Sequence, residues 1–173
     1  METFLEILKY SIPAIVVGGV AYLVLKMVLD DNQKRRDWEY RINNQKVITP
    51  LRLQAYERLI VFLERISPDS LIVRSQTSKM SAGTLHRDIL QLVNHEFEHN
   101  LSQQLYVSAS AWIVIKNAKE NTLKFINLVA GKIDAKAPAM KLSEAIVNEM
   151  IQSGNSATSV ATDYLKKEVQ KLF

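Results

Sequence analysis

The chain has no cysteine, only five glycines and four prolines in 173 residues, and few aromatic side chains, 8% of the total. Each shortage removes a class of protein. Without Cys there is no disulfide framework, no thiolate metal site and no cysteine nucleophile, which fits a reducing compartment. Pro and Gly are too scarce for a collagen-like or low-complexity polymer, and with 47% apolar residues the chain is too hydrophobic to stay disordered. Motifs for chemistry are as thin. Gly18-Gly19 lies inside an apolar run and makes no phosphate loop, and there is no G-x-S-x-G elbow. No repeat of fixed period is visible. The formal net charge of +4 is dispersed, whereas a nucleic-acid site needs a clustered basic stripe, so no specific nucleic-acid partner is expected.

What the chain does have is one segment far more apolar than its mean. Tyr10 to Leu29 reads YSIPAIVVGGVAYLVLKMVL, with Lys26 as its only charge. As a helix this run measures about 30 Å, the thickness of a bilayer's hydrocarbon core. Lys26 is near enough to one end to snorkel, and Tyr10 is an interface aromatic at the other. The residues before the run include Glu2 and Glu6, and no small-x-small cleavage site follows it, so a retained anchor is predicted over a signal peptide. Lys9 stands alone on the amino side against Lys34, Arg35, Arg36, Arg41 and Lys46 on the carboxyl side. The positive-inside rule therefore predicts a single-pass inner-membrane protein with its amino terminus outside and its remainder cytoplasmic. Ser11, Ala14, Gly18 and Ala21 recur at helical spacing as a stripe of small side chains, a packing face for another membrane helix or a second copy.

The remainder reads as helix. Residues 31–48 form a polar stalk supported by acid-before-base pairs Asp30/Lys34, Asp31/Arg35 and Asp37/Arg41. Thr49-Pro50 signals a new helix start, running to Ile66 with Leu51, Leu53, Ala55, Tyr56, Leu59, Phe62 and Leu63 on a broad apolar arc. Ser67-Pro68-Asp69 ends it, and Leu71 to Lys79 reads as a short strand or a tucked loop. Further helices are predicted from Ser81 through about Leu105, from Ser108 to about Ile133, and over Leu142–Ser153 and Ala157–Leu172, the last two separated by Gly154-Asn155. The expected fold is all-α: an anchor over residues 1–30, the stalk, and a bundle-like cytoplasmic domain of about five helices over 49–173.

One chemical motif stands out. His95-Glu96-Phe97-Glu98-His99 satisfies H-E-x-x-H, in which two imidazoles one turn apart hold zinc and the Glu activates water. It also satisfies the inverted form, with Glu98 as base. The extended form fails, because Ser102 and Leu105 stand where Gly and His are required. The wheel also turns His95 and His99 away from the apolar face, so the leading expectation is a non-enzymatic module without cofactor. The alternative is a membrane-bound zinc metallohydrolase with His95 and His99 as ligands and Glu96 as base.

At PLRLQAYERLIVFLERISP (50–68), EFEHNLSQQLYVS (96–108), Ala111-Trp112 and NAKE (117–120) the chain resembles a family of short Bacteroidota proteins of unassigned activity. The resemblance implies an amino-terminal membrane helix with a helical cytoplasmic domain, and it implies no mechanism. Within these blocks Glu98, His99, Asn100, Gln103 and Gln104 have no evident core role and are the candidate interaction residues. Arg52, Glu57, Arg58, Glu64 and Arg65 form a second polar group, and the bland expectation for both groups is mutual hydrogen bonding between the helix from Pro50 and the helix from Ser81. The function expected is an accessory or scaffold subunit of an inner-membrane complex, whose partners are the bilayer and another membrane protein or a second copy. A salt-sensitive contact with the membrane surface or the ribosome, through Lys34-Arg35-Arg36 and the lysine-rich carboxyl half, is the further option.

Overall fold

In a computed structural model the backbone is described for residues 2–154 and 156–172, and the side chains for residues 16–36, 38–40, 42–154 and 156–171. Among these residues the protein is all-α. Its helices are α1 (Glu2–Arg65), α2 (Pro68–Ser75), α3 (Ala82–His99), α4 (Ala109–Ala130), α5 (Ala139–Ser153) and α6 (Ala157–Leu172), with a 3-10 turn at Leu101–Leu105. The chain divides into two compact units between Thr49 and Pro50.

The first unit is helical throughout its described backbone. The side chains of residues 16–36 are exposed on every side of the helix, and nothing lies within 4 Å of a Cβ placed at Gly18 or Gly19. Among the described residues no helix is long and apolar enough to cross a membrane. Residues 10–15 of the apolar run fall outside the described side chains, and so do Ser11 and Ala14 of the small-residue stripe, whereas Gly18 and Ala21 are exposed. Arg35 pairs with Glu39 at 3.3 Å and not with Asp31. Both partners are solvated, so the contact is worth a few tenths of a kcal/mol.

Thr49-Pro50 does not begin a helix, contrary to the sequence expectation. Both residues lie inside α1, because no breaker precedes them and the exposed helix leaves the Lys46 carbonyl, deprived of its donor by Pro50, open to water. Leu51 and Leu53, expected in the core, remain 42% and 43% exposed.

In the second unit Tyr56, Leu59, Phe62, Leu63 and Ile66 of α1 are buried with Leu71 of α2, Leu85, Ile89 and Val93 of α3, Ile115 and Ile126 of α4, Leu142 and Ile146 of α5 and Leu165 of α6. Spacings of three and four place each set on one face of its helix. The segment read as strand or loop is α2, so Ser67-Pro68-Asp69 starts a helix as well as ending one: Pro68 at its first turn lacks only a spare N–H, and Asp69 faces the positive end of the dipole. The caps of α3 and α4 are local: Ser81 Oγ accepts from Thr84 N–H and Ser108 Oγ from Ala111 N–H. Gly154 ends α5 with φ +79, a conformation that favours glycine, and Asn155 lies outside the described residues.

The α4–α5 connector lies along the start of α3. Ala82 and Gly83 donate to the carbonyls of Ala137 and Ala135 at 2.7 and 2.9 Å, and Ala139 donates to that of Met80 at 2.9 Å. A Cβ on Gly83 would stand 3.1 Å from Ala135 Cβ and 3.2 Å from its carbonyl oxygen. The backbone oxygen can yield only by moving a hydrogen-bonded segment. A Gly83→Val variant is therefore expected to lose about 1–3 kcal/mol, seen as a lower urea midpoint at unchanged slope. An unaltered midpoint would mean that the connector is free to shift.

Candidate functional site

The chemistry-bearing residues concentrate where α1 ends and α3 approaches α2 and α4. Glu96 follows Ile89 by seven residues and Val93 by three, which sets it on the apolar stripe of α3, and it is only 8% exposed. A buried carboxylate needs charged or hydrogen-bonding partners. Two guanidinium groups supply them: Arg65 Nε and Nη2 stand 2.9 and 2.7 Å from Glu96 Oε1, and Arg74 Nη2 stands 2.6 Å from the same oxygen. Arg74 Nη1 also donates to the Arg65 carbonyl at 3.1 Å. Burial by itself would raise the Glu96 pKa. Hydrogen bonds from Arg74 and then Arg65, with the charges of both, outweigh that and hold the carboxyl below its ordinary range.

Beside this triad the Phe97 ring stacks on Trp112 at 5.6 Å between centroids and meets Phe62 at 6.0 Å. Lys119 Nζ sits 4.8 Å from the Phe97 centroid, within cation–π range. His95 and His99 lie on the exposed side of α3 with ring centroids 5.9 Å apart. The third histidine, His86, has Nε2 2.7 Å from Asn127 Oδ1, within hydrogen-bond distance.

The structure separates the predicted residues. Glu96 does not stand free beside the imidazoles; its bonded oxygen is shared by two arginines. Among the described residues no group of three or more His, Asp or Glu is placed to hold a metal. Glu98, His99 and Gln104 are exposed, but Gln103 is buried and Asn100 donates from Nδ2 to the Glu96 carbonyl at 2.8 Å, so the five interaction candidates do not share one surface. Of the second polar group, Arg65 reaches α3 and Arg52 donates to the Tyr106 carbonyl at 3.1 Å, while Glu57, Arg58 and Glu64 face solvent.

Sequence reasoning misses Arg74, because Leu71 to Lys79 reads as a short strand or a tucked loop and not as a helix. The signal for the triad was nonetheless present: an acid on an apolar stripe requires a cation nearby. Tyr56 was read as core and is fully buried, but its hydroxyl and Glu168 Oε2 make no well-formed hydrogen bond. Burial, and then the Glu168 carboxylate, push the Tyr56 pKa up against the opposing effects of Ser108 and Arg52.

A family model described as "Family of unknown function (DUF7935)" matches residues 2–172. No curated protein and no solved structure matches the chain.

Proposed function

We propose, for a chain that belongs to the DUF7935 family of unknown function, a membrane-tethered helical interaction module that serves as an accessory subunit at the cytoplasmic face of an inner membrane. The observation that carries this reading is the run Val16–Leu29. Val17, Leu25, Tyr22 and Met27 point to different sides of α1 and are 67%, 59%, 66% and 73% exposed. A helix apolar all round requires an apolar environment all round. Lipid supplies that at once, whereas a protein groove covers one side. Asp30 and Asp31 bound the run, and Lys34-Arg35-Arg36 beyond it favours a cytoplasmic remainder.

For the cytoplasmic part, the 3-10 turn leaves Leu105 79% and Leu101 40% exposed with the exposed Gln104 between them in sequence, and exposed apolar side chains of this kind suit a protein partner. Catalysis has no part in this reading, since Glu96 is committed to two guanidinium groups.

Because the chain has no cysteine, a Ser110→Cys variant carries a single reporter thiol. Expressed in bacterial cells, the full chain should stay in the membrane pellet after both high-salt and alkaline carbonate washes. Its thiol should react with an impermeant maleimide only after permeabilisation. Release by carbonate overturns the anchor, release by salt alone points to the Lys34-Arg35-Arg36 surface contact, and labelling of intact cells overturns the orientation. Affinity purification in mild detergent should bring a second membrane protein with the chain. A lone monomer would remove the accessory role.

A further inference from the structure

We propose that His95 and His99 form a chelating site for a divalent transition metal ion of the zinc, nickel or copper kind on the outer face of α3. The site is separate from any hydrolytic role for Glu96. The two residues are one helical turn apart, both are exposed, and their ring planes are inclined by 21° with centroids 5.9 Å apart. At that separation small turns about the side-chain torsions bring one nitrogen from each ring onto a single ion, at metal–nitrogen distances of about 2.0–2.1 Å. Neither ring has a hydrogen-bonding partner among the described residues that would have to be broken first.

The composition of the chain makes the pair selective within the molecule. With no Cys and three His, the other borderline ligand is His86, and its Nε2 is held by Asn127 on α4. Of the two carboxylates between the pair in sequence, Glu96 is turned the other way, onto Arg65 and Arg74. An ion at the imidazoles therefore neither draws on Glu96 nor disturbs the triad.

Helical spacing sets Glu98 near the pair on the exposed side of α3, but no third His, Asp or Glu is gathered with the pair among the described residues. Two imidazoles thus hold the ion, and water fills its other positions. Nitrogen ligation selects copper, nickel and zinc over magnesium and calcium, which require oxygen cages. The chelate spans the last turn of α3, where Asn100 already caps the Glu96 carbonyl. Because that turn exists only in the folded chain, the metal stabilises the fold.

The test uses the full chain in mild detergent, titrated calorimetrically with zinc and copper chlorides and with magnesium chloride as control. Zinc and copper should each bind at one ion per chain, copper the tighter, and zinc should raise the thermal midpoint. His95→Gln and His99→Gln should each weaken binding by about tenfold or more and abolish the thermal shift, and His86→Gln should leave both unchanged. In proton NMR, substoichiometric copper should broaden two of the three histidine ring signals. Equal broadening of all three, or single variants that bind zinc as tightly as the parent, would overturn the site.

Discussion

Replacing Glu96 with alanine is expected to lower the unfolding free energy of residues 50–173 by about 2–3 kcal/mol. The change deletes the acceptor of two guanidinium groups and leaves their charges facing each other against α3. Removal of one partner from a fully buried ion pair costs roughly 3–5 kcal/mol. The lower figure applies because the Arg65 side chain is 50% exposed and that of Arg74 29%, so water recovers part of the loss. Glu96→Gln keeps the volume and an acceptor oxygen, and should cost less.

The pH dependence follows from the same geometry. With its folded pKa below the ordinary 4.5, the unfolded chain takes up the Glu96 proton first as pH falls. The stabilisation from this group is complete above about pH 5 and is lost on acidification through 4.5 toward the depressed folded value. Urea midpoints of the parent should fall across that window, and those of Glu96→Gln should fall less. Parallel pH profiles would show that the carboxylate is not held by charge.

Phe62→Ala is expected to be still more damaging, at about 3–5 kcal/mol. Phe62 is 1% exposed on α1 and reaches the Phe97 ring of α3, which in turn stacks on Trp112 of α4. The truncation removes buried apolar area, opens a cavity where three helices meet and deletes one edge of the aromatic chain. Single domains are stable by only about 5–15 kcal/mol, so this variant should unfold at markedly lower urea. Its neighbour Val61, 54% exposed, should tolerate alanine within about 0.5 kcal/mol. A double-mutant cycle of Phe62→Ala with Phe97→Leu isolates the ring–ring contact, for which about 0.5–1.5 kcal/mol of coupling is expected. Additive losses would reduce Phe97 to a spacer.

The helices of the second unit were legible because the signals that make them are local. Ser81 and Ser108 cap donors three residues ahead, and the spacing of Leu85, Ile89 and Val93, or of Ile115 and Ile126, writes out a buried face whatever the partner is. The same locality misled at two places. Thr49-Pro50 carries a start signal that α1 overrides, since the preceding stretch offers no reason to stop. Pro68 was read as a terminator when its fixed φ equally favours the first turn of α2. Of the candidate site, the exposed histidine pair was visible from the helical wheel, while the inward turn of Gln103 was not, because a 3-10 turn follows α3 and changes the period.

A helical protein with a strongly apolar run near its start, Ser caps on α3 and α4 and apolar faces on α3 to α6 is written in the residues alone. Those features depend on residues three or four positions apart. The role of Glu96 emerges only when the helices pack. Arg65 and Arg74 are 31 and 22 residues from it along the chain, and no local spacing reports that α1, α2 and α3 bring three charged heads to one point. The H-E-x-x-H pattern is the same string whether its Glu faces a metal or a pair of arginines. The packing of α2 against α3 settles its engagement with the arginines, because a carboxylate on a buried stripe is stable only where cations meet it.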